Sequence, residues 1–247
     1  MLHLFPADGC WQGWAGGHAL TVSQPQPDTL LFYRTDAETF RRFWQPYFDL
    51  DTDYAAIKAV LAQDETLRRA IQFAPGIRIL RQDSWETLCS FIISQNNNIK
   101  RIKGIIERLC RLLGQPIGDS GFFSFPTPET LAAATADQLA PLRCGFRARY
   151  LIDAAQKVRS GQVRLDAIPS MPLEEAHREL MQICGVGPKV ADCVLLFGFH
   201  RLECCPMDVW MKRVFAVLYP NGLPDCARDF AGIAQQYLFY MERYAGG

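Results

Sequence analysis

From Asp36 onward, apolar residues recur at the three- and four-residue spacing of helices that bury one face. The clearest case is Ile99, Ile102, Ile105, Ile106, Leu109, Leu112 and Leu113, which fall within one arc of a helix that Gly114 stops. The other arc carries Lys100, Arg101, Lys103, Arg108 and Arg111, with only Glu107 against them. Upstream, Asp83-x-x-Glu86 reads as a capping box opening a helix with Trp85, Leu88, Cys89 and Ile92 on one side. Thr127-Pro128 and Thr135-x-x-Gln138 are further cap signals. The pattern then predicts helices from about Arg147 to Ser160-Gly161, over Leu173 to Ile183, over Pro188–Phe199 and over Val209–Leu218, with a last one from Ala227 to Tyr244.

The first 35 residues read differently, being rich in Gly, Gln and Pro. Strand-like runs at His18 to Val22 and Thr29 to Tyr33, separated by Gln24-Pro25-Gln26-Pro27-Asp28, predict a β-hairpin with a loose loop. Two strands alone would be marginal, so the hairpin must lean on the rest. The fold class is mainly α (α+β overall), with a small antiparallel β piece. No internal repeat and no low-complexity tract interrupts it.

A length of 247 residues bounds the chain at one to two domains. With 49% hydrophobic and 21% charged residues it is an ordinary globular mix, which excludes a disordered chain, a collagen-like repeat and a coiled-coil rod. Lys plus Arg equals Asp plus Glu, 26 each, so overall charge offers no argument for nucleic acid, although a locally basic face is compatible with it. Nine cysteines, at 10, 89, 110, 144, 184, 193, 204, 205 and 226, lie mostly among apolar neighbours without any Cys-x-x-Cys pair. The expectation is a reducing cytosol, bacterial in type, with no zinc, no iron–sulfur cluster and no other cofactor. The N-terminal stretch lacks a signal peptide's basic lead-in and long apolar core. No apolar run approaches the ~18 residues of a membrane span.

The most informative stretch is Gly185-Val186-Gly187-Pro188-Lys189-Val190-Ala191-Asp192-Cys193. A helix ends, Gly185 and Gly187 turn the chain, and Pro188 takes the first position of a new helix, where its missing N–H costs nothing. The exposed N–H groups at that start suit a phosphate, while a tight αα turn with no ligand is the plain alternative. Lys189 lies in the first turn, where the helix dipole disfavours a cation, which is useful for an amine that must be neutral to attack. The alternative is a surface Lys touching phosphate. Asp208, in Pro206-Met207-Asp208-Val209, can cap the helix it begins or act as an acid/base partner.

Together, these residues resemble the helix–hairpin–helix DNA glycosylase superfamily and, within it, the 8-oxoguanine DNA glycosylase/lyase family. Asp208 follows Lys189 by 19 residues, as the family pattern requires. Three further stretches agree: Ser94-Gln95-Asn96-Asn97-Asn98-Ile99-Lys100-Arg101, Cys144-Gly145-Phe146-Arg147-Ala148-Arg149-Tyr150, and Gln235 with Phe239. The resemblance covers roughly residues 30 to 244 and is specific, since its motifs stand in family order. The absence of iron–sulfur cysteines separates the chain from the endonuclease III branch.

The resemblance implies two helical subdomains, residues 36–82 plus 219–247 and residues 83–218, the second holding the hairpin, with 1–35 a shortened β segment. It implies Lys189 as nucleophile and Schiff-base residue and Asp208 as the catalytic carboxylate. Asn96, with Asn98 beside it, would fill the hole left by an extruded nucleotide, and Phe146 would wedge into the stack. Arg101 and Arg147 would contact the orphaned cytosine, and Gly185 and Gly187 the backbone. Cys193 and Phe239 would sandwich the flipped base, Gln235 would read its Watson–Crick edge, and Trp210 would stand beside them. Without the resemblance, Phe146, Phe239, Trp210 and Cys193 read as packing residues, and the Asn run as a loop. Base chemistry needs extrusion from the duplex, which fits this set.

The partner implied is damaged double-stranded DNA, bound by a monomer with no membrane contact. The family's Gly-Gln-x-Phe-x-Trp segment, whose Gly carbonyl reads the N7 proton of 8-oxoguanine, is not found. Asp8-Gly9-Cys10-Trp11-Gln12-Gly13-Trp14 is a faint echo. The expectation is weakened discrimination against guanine, with abasic-site cleavage retained. Two other readings remain: an alkylated-base glycosylase, which needs no hairpin Lys, and a non-catalytic helix–hairpin–helix DNA-binding protein.

Overall fold

The computed structural model describes residues 3–7 and 9–244, with side chains from residue 9 onward. Asp8 of the N-terminal echo and residues 245–247 lie outside it. A four-stranded antiparallel sheet in the order β1-β2-β3-β4 opens the chain: β1 (His3–Ala7), β2 (Cys10–Ala15), β3 (His18–Gln26) and β4 (Thr29–Tyr33). The hairpin expectation is thus too small: the Trp- and Gly-rich residues before His18 supply two more strands. Only Gly13 falls within them, where it interrupts the alternation of β2. Gly16 and Gly17, both at positive φ, make the two-residue turn between Ala15 and His18. The loose loop is also shorter than expected. β3 runs on to Gln26, and a register shift between Ser23 and Gln26 accommodates Pro25, which cannot donate to a ladder.

Helices follow. α1 (Ala37–Thr39) passes through a π-helical segment, Phe40–Trp44, into α2 (Gln45–Tyr47). Then come α3 (Tyr54–Leu61), α4 (Glu65–Phe73), α5 (Ser84–Ser94), α6 (Ile99–Leu113) and α7 (Pro128–Ala132). The second half holds α8 (Arg147–Arg159), α9 (Leu173–Met181), α10 (Pro188–Phe199), α11 (Val209–Leu218) and α12 (Ala231–Tyr244). Asp83, Asn98, Thr127 and Asp208 each accept a backbone N–H three residues on, so the polar starts of α5, α6, α7 and α11 are side-chain caps. The Thr135–Gln138 pair bonds reciprocally, but it closes a turn rather than opening a helix. The last helix begins at Ala231, later than expected, because Asp225–Phe230 winds as a 3-10 segment.

Two hydrophobic clusters form. The large one draws on α3 to α12, with Leu88, Ile92, Ile105, Leu109, Leu151, Val194, Leu195 and Tyr237 essentially sealed. The smaller packs Ala15, Leu20 and Val22 of the sheet against Trp44 and Tyr47. A buried polar hub ties the 45–54 stretch to the end of α10. Asp49 accepts from Thr52 Oγ1 (2.7 Å), Tyr54 OH (2.9 Å) and Arg81 Nε (2.8 Å), and pairs with His200 Nε2 at 3.1 Å. Among the described residues no helix is long and apolar enough to cross a membrane.

Candidate active site

The hairpin joins α9 to α10 through residues 182–187. Two side chains of α8 clamp it: Asp153 Oδ2 accepts the Cys184 N–H at 2.7 Å, and Lys157 Nζ donates to the Gln182 carbonyl at 2.7 Å. Gly185 has φ +79°, and a Cβ there would lie 2.4 Å from the Tyr150 ring, so both backbone and packing demand glycine. Gly187 has open space around it and precedes Pro188, the first residue of α10. Among the described residues no side chain caps the start of α10, as an anion site at a helix start requires.

Lys189 is exposed in the first turn of α10, its ammonium 5.8 Å from the centroid of the Phe91 ring. One helical turn on, Cys193 is buried. Burial pushes its thiol up to about 11, against the pull of the Lys189 ammonium, and the Asp208 carboxylate acts in the same direction as burial. Lys189 and Asp208 thus act electrostatically on one buried sulfur, which stays protonated and inert as a nucleophile.

Asp208 caps α11: its Oδ1 accepts the Met211 N–H at 2.7 Å, and among the described residues Oδ2 accepts no hydrogen bond. It lines a cleft with Trp210, Phe239, Glu242 and Arg243. Trp210 meets Phe239 edge-on, centroids 5.2 Å apart, and the Arg243 guanidinium lies 5.7 Å from the Phe239 ring centroid. Gln235, one turn before Phe239, is buried, its Oε1 taking Nε2 of Gln236. Glu242 and Arg243 escaped the sequence reading, although their places three and four residues after Phe239 put them on its helix face. Phe91 carried no signal at all.

A second group forms at the corner between α5 and α6. Asn96 adopts φ +46°, a left-handed conformation that Asn tolerates. Asn97 Nδ2 donates to the Ile93 carbonyl, and Asn98 caps α6 through the Arg101 N–H. Arg147 is buried and fastens the corner, donating to the carbonyls of Gln95, Asn96 and Cys144. Its guanidinium also lies 4.5 Å from the ring centroid of Phe146, which remains exposed. Burial and the nearby positive charge of Arg101 both lower the Arg147 pKa. Arg101 itself is exposed and donates to the Arg143 carbonyl. The expected residues thus fall into three groups: Lys189 with Cys193, Asp208 with Trp210 and Phe239, and Asn96 with Phe146 and Arg147.

The arrangement is a helix–hairpin–helix with a lysine at the start of its second helix and a capping aspartate beyond. The family model of the HhH-GPD superfamily base excision DNA repair protein matches residues 89–223, and that of the 8-oxoguanine DNA glycosylase N-terminal domain matches residues 6–88. The chain is similar to MBOgg1, solved in complex with a low-affinity DNA ligand: 43% identity, 100% of this chain, 90% of that one, TM-score 0.91. It is similar to the 8-oxoguanine glycosylase/lyase of Clostridium acetobutylicum, solved with double-stranded DNA containing cytosine opposite 8-oxoG: 35% identity, 100% and 89% coverage, TM-score 0.90. The N-glycosylase/DNA lyase of Saccharomyces cerevisiae is 42% identical over 153 residues, 56% of this chain, which spans 41% of that relative's length. The chain belongs to the 8-oxoguanine DNA glycosylase family of the HhH-GPD superfamily.

Proposed function

We propose that the chain is a bifunctional DNA glycosylase and apurinic/apyrimidinic lyase of base-excision repair, acting as a monomer on damaged duplex DNA, with 8-oxoguanine as its main base. The observation that carries this reading is Lys189, an exposed amine at the first turn of α10 beside the clamped Gly185–Gly187 hairpin. Its neutral Nζ attacks the sugar C1′ as the base departs with the C1′–N bond pair and takes up a proton; the C1′–O4′ bond then breaks, O4′ receiving the proton the amine gives up, to leave an open-chain imine. Loss of a C2′ proton then expels the 3′ phosphate by β-elimination. Asp208, with one oxygen held by the α11 cap and the other without a hydrogen bond among the described residues, stabilises the positive charge that develops on the sugar. The flipped base enters the Asp208–Trp210–Phe239 cleft, with Cys193 and Phe239 on its faces and Gln235 at its edge. Asn96 and Phe146, fastened together through Arg147, occupy the space the nucleotide leaves. Exposed Arg101 supplies the charge toward the orphaned cytosine, whereas Arg147, expected there too, is buried and holds the corner instead.

An alkylated-base glycosylase would use Asp208 but has no use for Lys189, and a non-catalytic module needs neither. Borohydride trapping on duplex containing 8-oxoguanine, run beside a base-release assay, decides among the three. Wild type forms a covalent adduct. Lys189→Gln forms none and loses excision by on the order of 10³-fold or more. Adducts of equal intensity from the variant overturn the assignment of Lys189. Release of an alkylated base from a second duplex, with no adduct on either, favours the alkylated-base reading.

A further inference from the structure

Behind the hairpin, and outside the groups described above, three side chains of different chemistry converge. His177 comes from α9, Asp192 from α10 and Cys204 from the loop that leads to Asp208. One ring nitrogen, one carboxylate oxygen and the sulfur all lie within 4.8 Å of one another. His177 Nε2 and Asp192 Oδ1 are 2.8 Å apart, and among the described residues His177 is the only hydrogen-bond partner of the Asp192 carboxylate.

Cys, His and Asp together also suggest a thiol nucleophile with its base. That use is closed, because Cys204 is only 2% exposed and no electrophilic substrate reaches it. A metal ion is smaller than any substrate, and the His177 and Asp192 side chains, 28% and 21% exposed, leave it a way in. We propose that His177, Asp192 and Cys204 form a binding site for one zinc-class divalent cation, completed by water. Sulfur, imidazole and carboxylate are the donors that zinc takes, at about 2.0–2.3 Å each. Tetrahedral contacts of that length set the donors roughly 3.3–3.6 Å apart. The His–Asp pair opens slightly to admit the ion, and the Cys204 sulfur closes in by about 1 Å at most. A search for Cys-x-x-Cys pairs is blind to this arrangement, since the ligands stand on three separate elements.

The bound ion would tie both helices of the hairpin to the 201–208 loop. Asp192 lies three residues after Lys189 on α10, and Cys204 four before Asp208, so the ion would fasten the supports of both residues. The proposal does not depend on the glycosylase reading, because its test reads metal binding rather than base release. Chelator-stripped full-length protein is titrated with zinc against a chromophoric competitor, and separately with cobalt followed by absorption. The expected result is one ion per chain and a thiolate-to-cobalt charge-transfer band. That band vanishes in Cys204→Ala and persists in Cys205→Ala. Zinc affinity falls in His177→Asn by more than the about 10- to 100-fold that loss of a mere outer-shell partner costs. Melting in chelator verifies that each variant is folded; if one is not, the cobalt spectrum of the wild type decides. No thiolate band in the wild type, or equal zinc affinity in wild type and folded variants, overturns the proposal.

Discussion

The α5–α6 corner and the β2–β3 turn both bend the chain at positive φ, yet they are held by different means. At the corner, Arg147 reaches across some 50 residues of sequence to bond the carbonyls of Gln95 and Asn96. The hairpin is fastened the same way, through Lys157 and Asp153. In the sheet, the backbone ladder sets the register. Rings do the rest: Phe32 meets Phe40 and Phe48 edge-on, and the Gly16 turn sits against Phe43. Side-chain-to-backbone bonds fix the direction of polar atoms, whereas ring packing fixes shape. A region that acts on a phosphodiester needs the first, and a supporting layer needs only the second.

The largest expected effect separates direction from stability in a single residue. Asp208→Asn keeps a good helix cap, so melting stays close to wild type, while single-turnover excision falls about 10²- to 10⁴-fold. Excision within a few-fold of wild type would reduce Asp208 to a cap, and the contrast between the two regions would weaken with it.

The next test attacks the buried polar hub around Asp49. Burial alone would raise the Asp49 carboxyl, but the hydrogen bonds from Thr52, Arg81 and Tyr54 and the charge of His200 hold it below the usual carboxylate range. Asp49→Asn strips the charge from a buried cluster and is expected to cost about 3 kcal/mol in urea unfolding at pH 7. Burial holds His200 below its ordinary value despite the Asp49 carboxylate. The unfolded chain therefore takes up a proton on this residue that the folded chain resists. Stability falls as pH drops through about 6.5, and falls again when Asp49 protonates in stronger acid. His200→Gln flattens the upper part of that slope; an unchanged slope between about pH 7 and 5 would remove His200 from it.

The smallest effects compare two glycines of nearly equal φ. Gly17, at φ +78°, has nothing near its absent Cβ, whereas Gly185, at φ +79°, faces the Tyr150 ring. Both Ala variants carry a backbone penalty of about 1–2 kcal/mol. Gly185→Ala should cost a further ~1–2 kcal/mol for overpacking and weaken DNA binding, while Gly17→Ala leaves binding intact. Equal losses of stability and binding in both would erase the distinction drawn between hairpin and sheet.

The catalytic half was readable from sequence because its signals are local. A Pro at a helix start, a Gly where the chain reverses, and Asp or Asn three residues before the N–H it caps each declare themselves within four residues. The clear periodicity of α6 likewise gave Ile99–Leu113 to the residue. Half of the sheet hid because β1 and β2 are short and Gly13 breaks the alternation of β2, so two of the four strands carry no clear signal. What could not be read were contacts across distance. The basic arc of α6 is exposed as its periodicity implies, but that Arg108 donates to the Leu142 carbonyl and Arg101 to that of Arg143 could not be read from it. Arg147 stands in a motif with an exposed aromatic before it, and only its tertiary neighbours show it turned inward. Asp49 and His200, 151 residues apart, gave no hint of each other.

The Arg147 knot has a consequence for time rather than affinity. An enzyme seeking one altered base among very many must spend little on each intact pair. Because the guanidinium already joins the Asn96 corner to the Phe146 helix start, the two residues, in the roles proposed above, would meet a duplex as one stiff object with no internal rearrangement to await. The dwell at each position is then governed by how readily the base pair itself opens, and a weakened pair announces itself by yielding first.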